Sequence, residues 1–308
     1  MNITPSSAIA FILVLLIAPA VAGVATRTKS VLTGRQGAPA LQLYFDLWKL
    51  VRRGAVFSET TTWVFRLAPA AMVATTVLAA TLLPLDGRMS FIRFSGDAVA
   101  FAYVLGLGRF LLVLAALDTG SSFEGMGASR EVTFASLVEV GLFLSFGTLV
   151  VVTRELSLSG MLGVPFAHHW AANAPALVMI SIGLFALLLA ECSRVPVDDP
   201  STHLELTMVH EVMVLDHSGP DLALILYGSA LKLAVLGALV VSVLIPRGGL
   251  PAAGSLAVLG GGLLAIGVGV GIVEATMARL RLPKVALYLA GASSLALFSL
   301  ILVLWTPA

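Results

Sequence analysis

Apolar residues in this chain gather into eight long runs separated by short polar connections. The runs are Ala8–Ala25, Trp63–Leu83, Ala98–Leu117, Val132–Val152, Ala174–Ala190, Leu222–Ile245, Leu250–Val273 and Val285–Trp305. A helix crosses a bilayer with about 20 mostly apolar residues, and each run meets that length within a few positions. The pattern predicts an all-α, polytopic membrane protein: eight transmembrane helices in a single membrane domain spanning residues 1–308. Between the first two runs the pattern changes. Over Ala40–Val51, Leu41, Tyr44, Phe45, Trp48 and Val51 share one helical face, with Gln42, Asp46 and Lys49 opposite. This predicts an amphipathic helix at the membrane surface, its apolar face covered by lipid or by a partner subunit. In the seventh run Gly267 and Gly271 form a small-xxx-small pair, which predicts close helix packing. No strand precedes these glycines and the run is apolar throughout, which favours packing over a nucleotide-binding loop.

Composition narrows the class. The chain is 58% hydrophobic and only 11% charged, where soluble proteins carry about 25% charged residues. Its 18 basic and 17 acidic residues nearly cancel, leaving no footprint for nucleic acid. Cys192 is the single cysteine. It can close no internal disulfide and cannot hold an iron–sulfur cluster, which takes about four cysteines. Redox centres, if the protein serves them, belong to other chains.

Lys and Arg placement sets the expected orientation. Ala20-Val21-Ala22 mimics a leader cleavage site, but residues 1–7 carry no Lys or Arg and Arg27 and Lys29 follow the run. That order favours a retained first helix with its N-terminus outside. Twelve basic residues then fall on the cytoplasmic side, Arg27, Lys29, Arg52, Arg53, Arg194 and Arg279 among them. Four fall outside: Arg88, Arg93, Arg154 and Arg247. Both termini are expected outside, and the connection 191–221 is expected in the cytoplasm.

That connection holds seven of the 17 acidic residues: Glu191, Asp198, Asp199, Glu205, Glu211, Asp216 and Asp221. Charges also interrupt the apolar spans. Arg109, Glu139 and Lys232 lie within runs, and Glu191 and Glu274 lie at run ends. Isolated charge inside a bilayer costs at least a few kcal/mol, so such residues pair or face water. At 1.5 Å per residue, Arg109 lies about 12 Å and Glu139 about 10 Å from the cytoplasmic ends of consecutive runs. The two are expected near one another, with Lys232 about 15 Å deep. A static ion pair and a hydrated proton path both satisfy these positions; charges of both signs in one half of the membrane favour the path. His203, His210 and His217 recur every seven residues. They would share a face if the segment were helical, but about 10 Å of rise separates them, so no metal site is expected. No nucleophile–base constellation or phosphate loop is visible, and no catalytic residue is assigned.

Glu191-x-x-Arg194-x-Pro196-x-Asp198-x-Pro200, followed by Glu205-Leu206, resembles the cytoplasmic loop of the membrane subunit at the heel of respiratory complex I, which holds much of the quinone cavity. A finer resemblance runs through Leu117-Asp118-Thr119-Gly120-Ser121, Gly127-Ala128-Ser129-Arg130-Glu131, Thr202-His203-Leu204-Glu205-Leu206-Thr207 and Met277-Ala278-Arg279-Leu280-Arg281. These stretches are similar to the corresponding subunit of formate hydrogenlyase and hydrogenase-4, membrane-bound nickel–iron hydrogenase complexes. Where the quinone branch carries two further glutamates, this chain has Ser201 and His203.

The resemblance implies a membrane-anchoring and proton-coupling subunit of a bacterial or archaeal plasma-membrane complex. Its partners would be hydrogenase-type large and small subunits, an iron–sulfur subunit and antiporter-like membrane subunits, and the iron–sulfur clusters and nickel–iron centre would lie in those chains. Candidates for proton coupling are Glu191, Arg194, Asp198, Glu205, Glu139, Arg109, Lys232 and Glu274, with Arg194 expected to hold a loop carboxylate ionised. Candidates for the partner interface are Asp118, Arg130, Glu131, Asp199, His203 and Glu211. Alternatives are a quinone-binding subunit of a complex I-type NADH dehydrogenase and, in another class, a stand-alone ion transporter.

Overall fold

The computed structural model describes residues 4–198 and 209–305. Among them it is helical and without strands, and eight helices are long and apolar enough to cross a membrane. In chain order these are α1 (Pro5–Leu32), then the short surface helix α2 (Gln42–Val51), then α3 (Trp63–Leu82), α4 (Asp97–Asp118) and α5 (Ser122–Thr153). Two short helices, α6 (Leu158–Leu162) and α7 (Phe166–Trp170), lead to α8 (Ala174–Glu191). The last three are α9 (Gly219–Leu244), α10 (Ala252–Thr276) and α11 (Leu282–Trp305). The protein is thus a multi-pass membrane protein with all eight expected spans in place. The largest departure is α5, which begins ten residues before the apolar run and brings Glu124, Arg130 and Glu131 into a helix. Helical geometry tolerates charges that hydropathy alone reads as a loop.

The core forms around α9, in which every residue from 230 to 243 is buried. Its small residues Gly228, Ala230, Ala234, Gly237 and Ala238 let neighbouring helices approach closely. α1, α3, α8 and α10 pack around it, α4 packs on α3, and α11 sits on α5 and α8. The glycine pair of α10 acts as expected. A side chain at Gly267 would place Cβ 2.8 Å from the Val21 carbonyl oxygen, and one at Gly271 would place it 2.5 Å from that of Ala25. α10 therefore lies backbone against backbone on α1.

Two regions hold more than their sequence reading told. Arg247, read as a loop cation, lies in the connection between α9 and α10 and is a buried tie there: Nη1 donates to the Leu85 carbonyl at 2.7 Å and Nη2 to Ser242 Oγ at 2.6 Å. Burial pushes its pKa down to about 10, opposed by nearby Asp86, and it stays charged at neutral pH. Residues 192–198 and 209–218 fold back against the bundle as a plug, with Val195, Val197, Val209, Val212 and Met213 buried. A single 3-10 turn, Glu211–Val214, is the helical part of the described plug. His210 and His217 flank it and do not share a continuous helical face. Gly127 of α5 permits the seating, since a Cβ there would lie 2.8 Å from the Val209 carbonyl oxygen.

The α1–α10 contact gives a direct check. Gly271→Ala should lower stability by about 1–3 kcal/mol through overpacking. Gly261→Ala should be neutral, because nothing lies within 4 Å of its would-be Cβ. Melting temperatures of the purified protein in mild detergent separate the two.

Candidate functional site

α4, α5, α8 and α9 converge where the plug meets the bundle, and each brings a charged side chain. Each helix is otherwise so apolar that its charges have nowhere to go but toward one another. Glu191, the last residue of α8, is the hub. Its Oε1 accepts from Arg109 Nη2 of α4 at 2.6 Å and from Lys232 Nζ of α9 at 2.7 Å. Arg109 extends the cluster: its Nη1 lies 3.6 Å from Glu139 Oε1 and its Nε 3.9 Å from Glu131 Oε1, both on α5. The Arg109 and Glu191 side chains are 9% and 7% exposed.

Two further ion pairs hold the plug beside this cluster. Arg194 Nη1 donates to Glu274 Oε1 at the end of α10 at 3.2 Å. Arg279 Nη2 meets Asp198 Oδ1 at 3.0 Å, while Asp198 Oδ2 accepts from the backbone N–H groups of Val209 and His210 at 3.0 and 3.2 Å. Asp198 thereby joins the two described ends of the plug. Leu280 N–H donates to the Pro196 carbonyl at 2.9 Å, tying the α10–α11 connection to the same place.

Above the cluster lies a cavity of about 610 Å³. Its walls are Ala22 and Thr26 of α1, Gln42 and Asp46 of α2, Arg194, Asp198, His210 and His217 of the plug, and Ile225 and Ser229 of α9. Smaller voids continue inward. One of about 20 Å³ touches Arg109, Glu131, His210 and Lys232. One of about 10 Å³ touches Glu131, Glu191 and Asp198. One of about 30 Å³ runs from Arg109, Glu139 and Glu191 to Leu236 and Leu239. A water needs about 10–15 Å³, so these spaces are of water size, and each touches at least one carboxylate of the cluster.

Burial sets the protonation of the groups outside the spans. His210, whose Nε2 lies 3.4 Å from Ser229 Oγ, has its pKa pushed down to about 4 by burial and then by the Lys232 charge. His217 stacks on Phe65 with ring centroids 3.9 Å apart and is pushed down to about 4 by burial; neither ring nitrogen has a hydrogen-bond partner. The Cys192 thiol is pushed up to about 12 by burial.

The sequence profile of a family described as NADH dehydrogenase matches residues 6–306. The chain belongs to the NADH dehydrogenase family. Within reach of this family are two relatives from Escherichia coli (strain K12). Hydrogenase-4 component C is 32% identical over 240 residues, 77% of this chain and 74% of the relative. Formate hydrogenlyase subunit 4 is 31% identical over 274 residues, 86% and 87% of the two chains. The fold also matches a chain of the membrane-bound sulfane sulfur reductase, an archaeal respiratory membrane complex, with TM-score 0.82 and 20% identity over 97% of this chain and 98% of that one.

In this member of the NADH dehydrogenase family, Arg109 and Glu139 meet as expected from their matching depths, and Lys232 joins them through Glu191. Among the described residues Arg194 pairs with Glu274, while Arg109, Lys232 and Arg279 take Glu191 and Asp198; Glu205, the other loop carboxylate expected for Arg194, lies outside the described residues. Glu131, expected on a partner surface, is buried within the cluster because α5 extends further than its apolar run. Asp118 is occupied within the chain, accepting from Thr62 N–H and Oγ1 at 2.7 and 2.9 Å at the start of α3. Arg130 of α5 and Glu211 of the plug remain partly exposed. Asp199, His203 and Glu205 lie outside the described residues. Sequence reasoning missed Ser229 and the place of His210 beside the cluster. The seven-residue histidine spacing drew attention to His210, but only tertiary placement shows it reaching the cluster.

The buried histidines predict acid sensitivity. In an unfolded chain each binds its proton near pH 6.5, in the fold only near 4. Stability is therefore full above about pH 6.5 and is lost as pH falls toward 4. Melting curves between pH 7 and 4.5 should show a smaller acid loss for His210→Asn than for the native chain. Arg109→Ala should cost about 3–5 kcal/mol at neutral pH, because it strands buried carboxylates; thermal unfolding in detergent measures it.

Proposed function

We propose that this chain anchors a membrane-bound hydrogenase-type complex and couples its electron transfer to proton movement. Its plug faces the cytoplasm beneath hydrogenase-type large and small subunits and an iron–sulfur subunit. Those partners hold the nickel–iron centre and the clusters, and antiporter-like subunits adjoin it in the membrane. Carrying the coupling role is one observation: a buried carboxylate, Glu191, bonded at once to Arg109 and Lys232. Such a clamp ties the carboxylate to two cations from different helices, and a change of charge above the plug shifts the balance within the coupled set. Water-sized voids then offer Glu131 and Glu139 as successive proton stations. Glu205 and Glu274 belong to the same proposal, Glu274 through its pair with Arg194. Support for the complex comes from the two relatives, whose names describe a component and a subunit. That also favours a complex over a stand-alone transporter.

The 610 Å³ cavity supports a second reading, a quinone-type ligand entering between α1 and α2. Ser201 and His203, in place of the glutamates of the quinone branch, weigh against it. Extraction of the purified complex and assay of its lipid fraction for quinone discriminates the readings.

The coupling role predicts that Glu191→Gln and Glu131→Gln assemble but lose proton movement at least tenfold, while Arg130→Gln does not. Gln keeps the shape and removes the titratable charge. Electron transfer and membrane-potential formation, measured together in sealed vesicles, read the result. Native proton movement in both glutamine variants would reduce the cluster to a structural ion pair.

A further inference from the structure

Glu139 occupies an unusual position. It sits near the middle of the 32-residue α5, about 25 Å of helical rise from the Ser122 end. Yet its side chain is 39% exposed, on the outward seam between α4 and α5. Leu107, Phe110, Val132 and Val140 are exposed around it, and Tyr103 and Phe143 span the seam with ring centroids 6.0 Å apart. Gly106 forms the notch beside it: a Cβ there would lie 3.7 Å from Glu139 Oε1. So the carboxylate looks out through a gap in an apolar wall at membrane depth.

Hydrocarbon cannot cover such a group, since a charge there costs at least a few kcal/mol. Arg109 answers it only in part, at 3.6 Å, because its 2.6 Å bond is committed to Glu191. Of the three acids beside Arg109, the side chains of Glu131 and Glu191 are buried at 11% and 7% exposure, and Glu139 is the one that faces outward.

We propose that a transmembrane helix of a neighbouring subunit docks on the α4–α5 seam and sets a Lys or Arg side chain against Glu139. The inference rests on the multi-subunit reading and deepens it by naming the seam and the chemistry of the docked residue. A basic group there pairs with the exposed carboxylate, lies beside the notch at Gly106 and extends the ion cluster from this chain into its neighbour. The surrounding Leu107, Phe110, Val132 and Val140 supply the apolar contact that such a helix needs.

Photoreactive benzoylphenylalanine placed separately at Leu107, Val140 and, as a control on another helix, the exposed Phe298 of α11 tests this in native membranes holding the whole complex. The expected result from Leu107 and Val140 is an adduct to a transmembrane segment containing Lys or Arg. Its yield should fall at least tenfold in Glu139→Gln, with the Phe298 pattern unchanged. Exchanging charges, with Glu139→Lys and the partner's basic residue changed to Glu, should restore the adduct; it also recovers the test if Glu139→Gln lowers assembly. Lipid adducts alone, a segment without a basic residue, an unchanged yield in Glu139→Gln, or no recovery on exchange would each overturn the proposal. The adduct is read without turnover. Lost proton coupling with an intact adduct therefore counts against the coupling role and leaves the docking intact.

Discussion

The arrangement at the charged end of this protein depends on one oxygen atom. Glu191 Oε1 takes hydrogen bonds from Arg109 and Lys232, three helices meeting at a single acceptor. In a bundle this apolar, lipid and protein interior are alike, and hydrophobic burial does little to choose which helices neighbour one another. An unpaired charge in that medium is costly, so the ion cluster selects the arrangement. α4, α8 and α9 are placed by it, and α5 follows through Glu131 and Glu139. The glycine seam between α1 and α10 then closes the other side by shape alone.

Replacing a buried ion cluster by apolar residues often leaves stability unchanged or improved. A cluster of five charges is therefore a poor device for holding helices together, and its presence in the bundle fits a purpose other than stability. The geometry supplies one. Its carboxylates share cations, touch water-sized voids and lie beneath a large cavity walled by the plug. Asp198 links that plug to Arg279 and to the backbone at Val209 and His210, so movement of the plug bears directly on the cluster.

Much of this was legible in the sequence, for identifiable reasons. Apolar runs gave all eight spans because nothing but a helix crosses lipid with its backbone satisfied. Depth counting paired Arg109 with Glu139 because helices of equal tilt keep their register. The Gly267–Gly271 spacing forecast a close contact, since two glycines on one face have little other use in a span. What stayed hidden was tertiary. The start of α5 was masked by its charges, which misplaced Glu131 on a surface. The pairing of Arg194 with Glu274 on α10 joins residues 80 apart in sequence, beyond any local pattern. The burial of Arg247 within its loop gave no signal because its partners, the Leu85 carbonyl and Ser242, carry no charge.

Redox-difference infrared spectroscopy of the assembled complex tests the central claim most directly. If the cluster exchanges protons with redox change, reduction should alter a carboxyl carbonyl band that disappears in Glu191→Gln or Glu131→Gln, with electron transfer still proceeding. Identical difference spectra in the native complex and both variants would contradict the account.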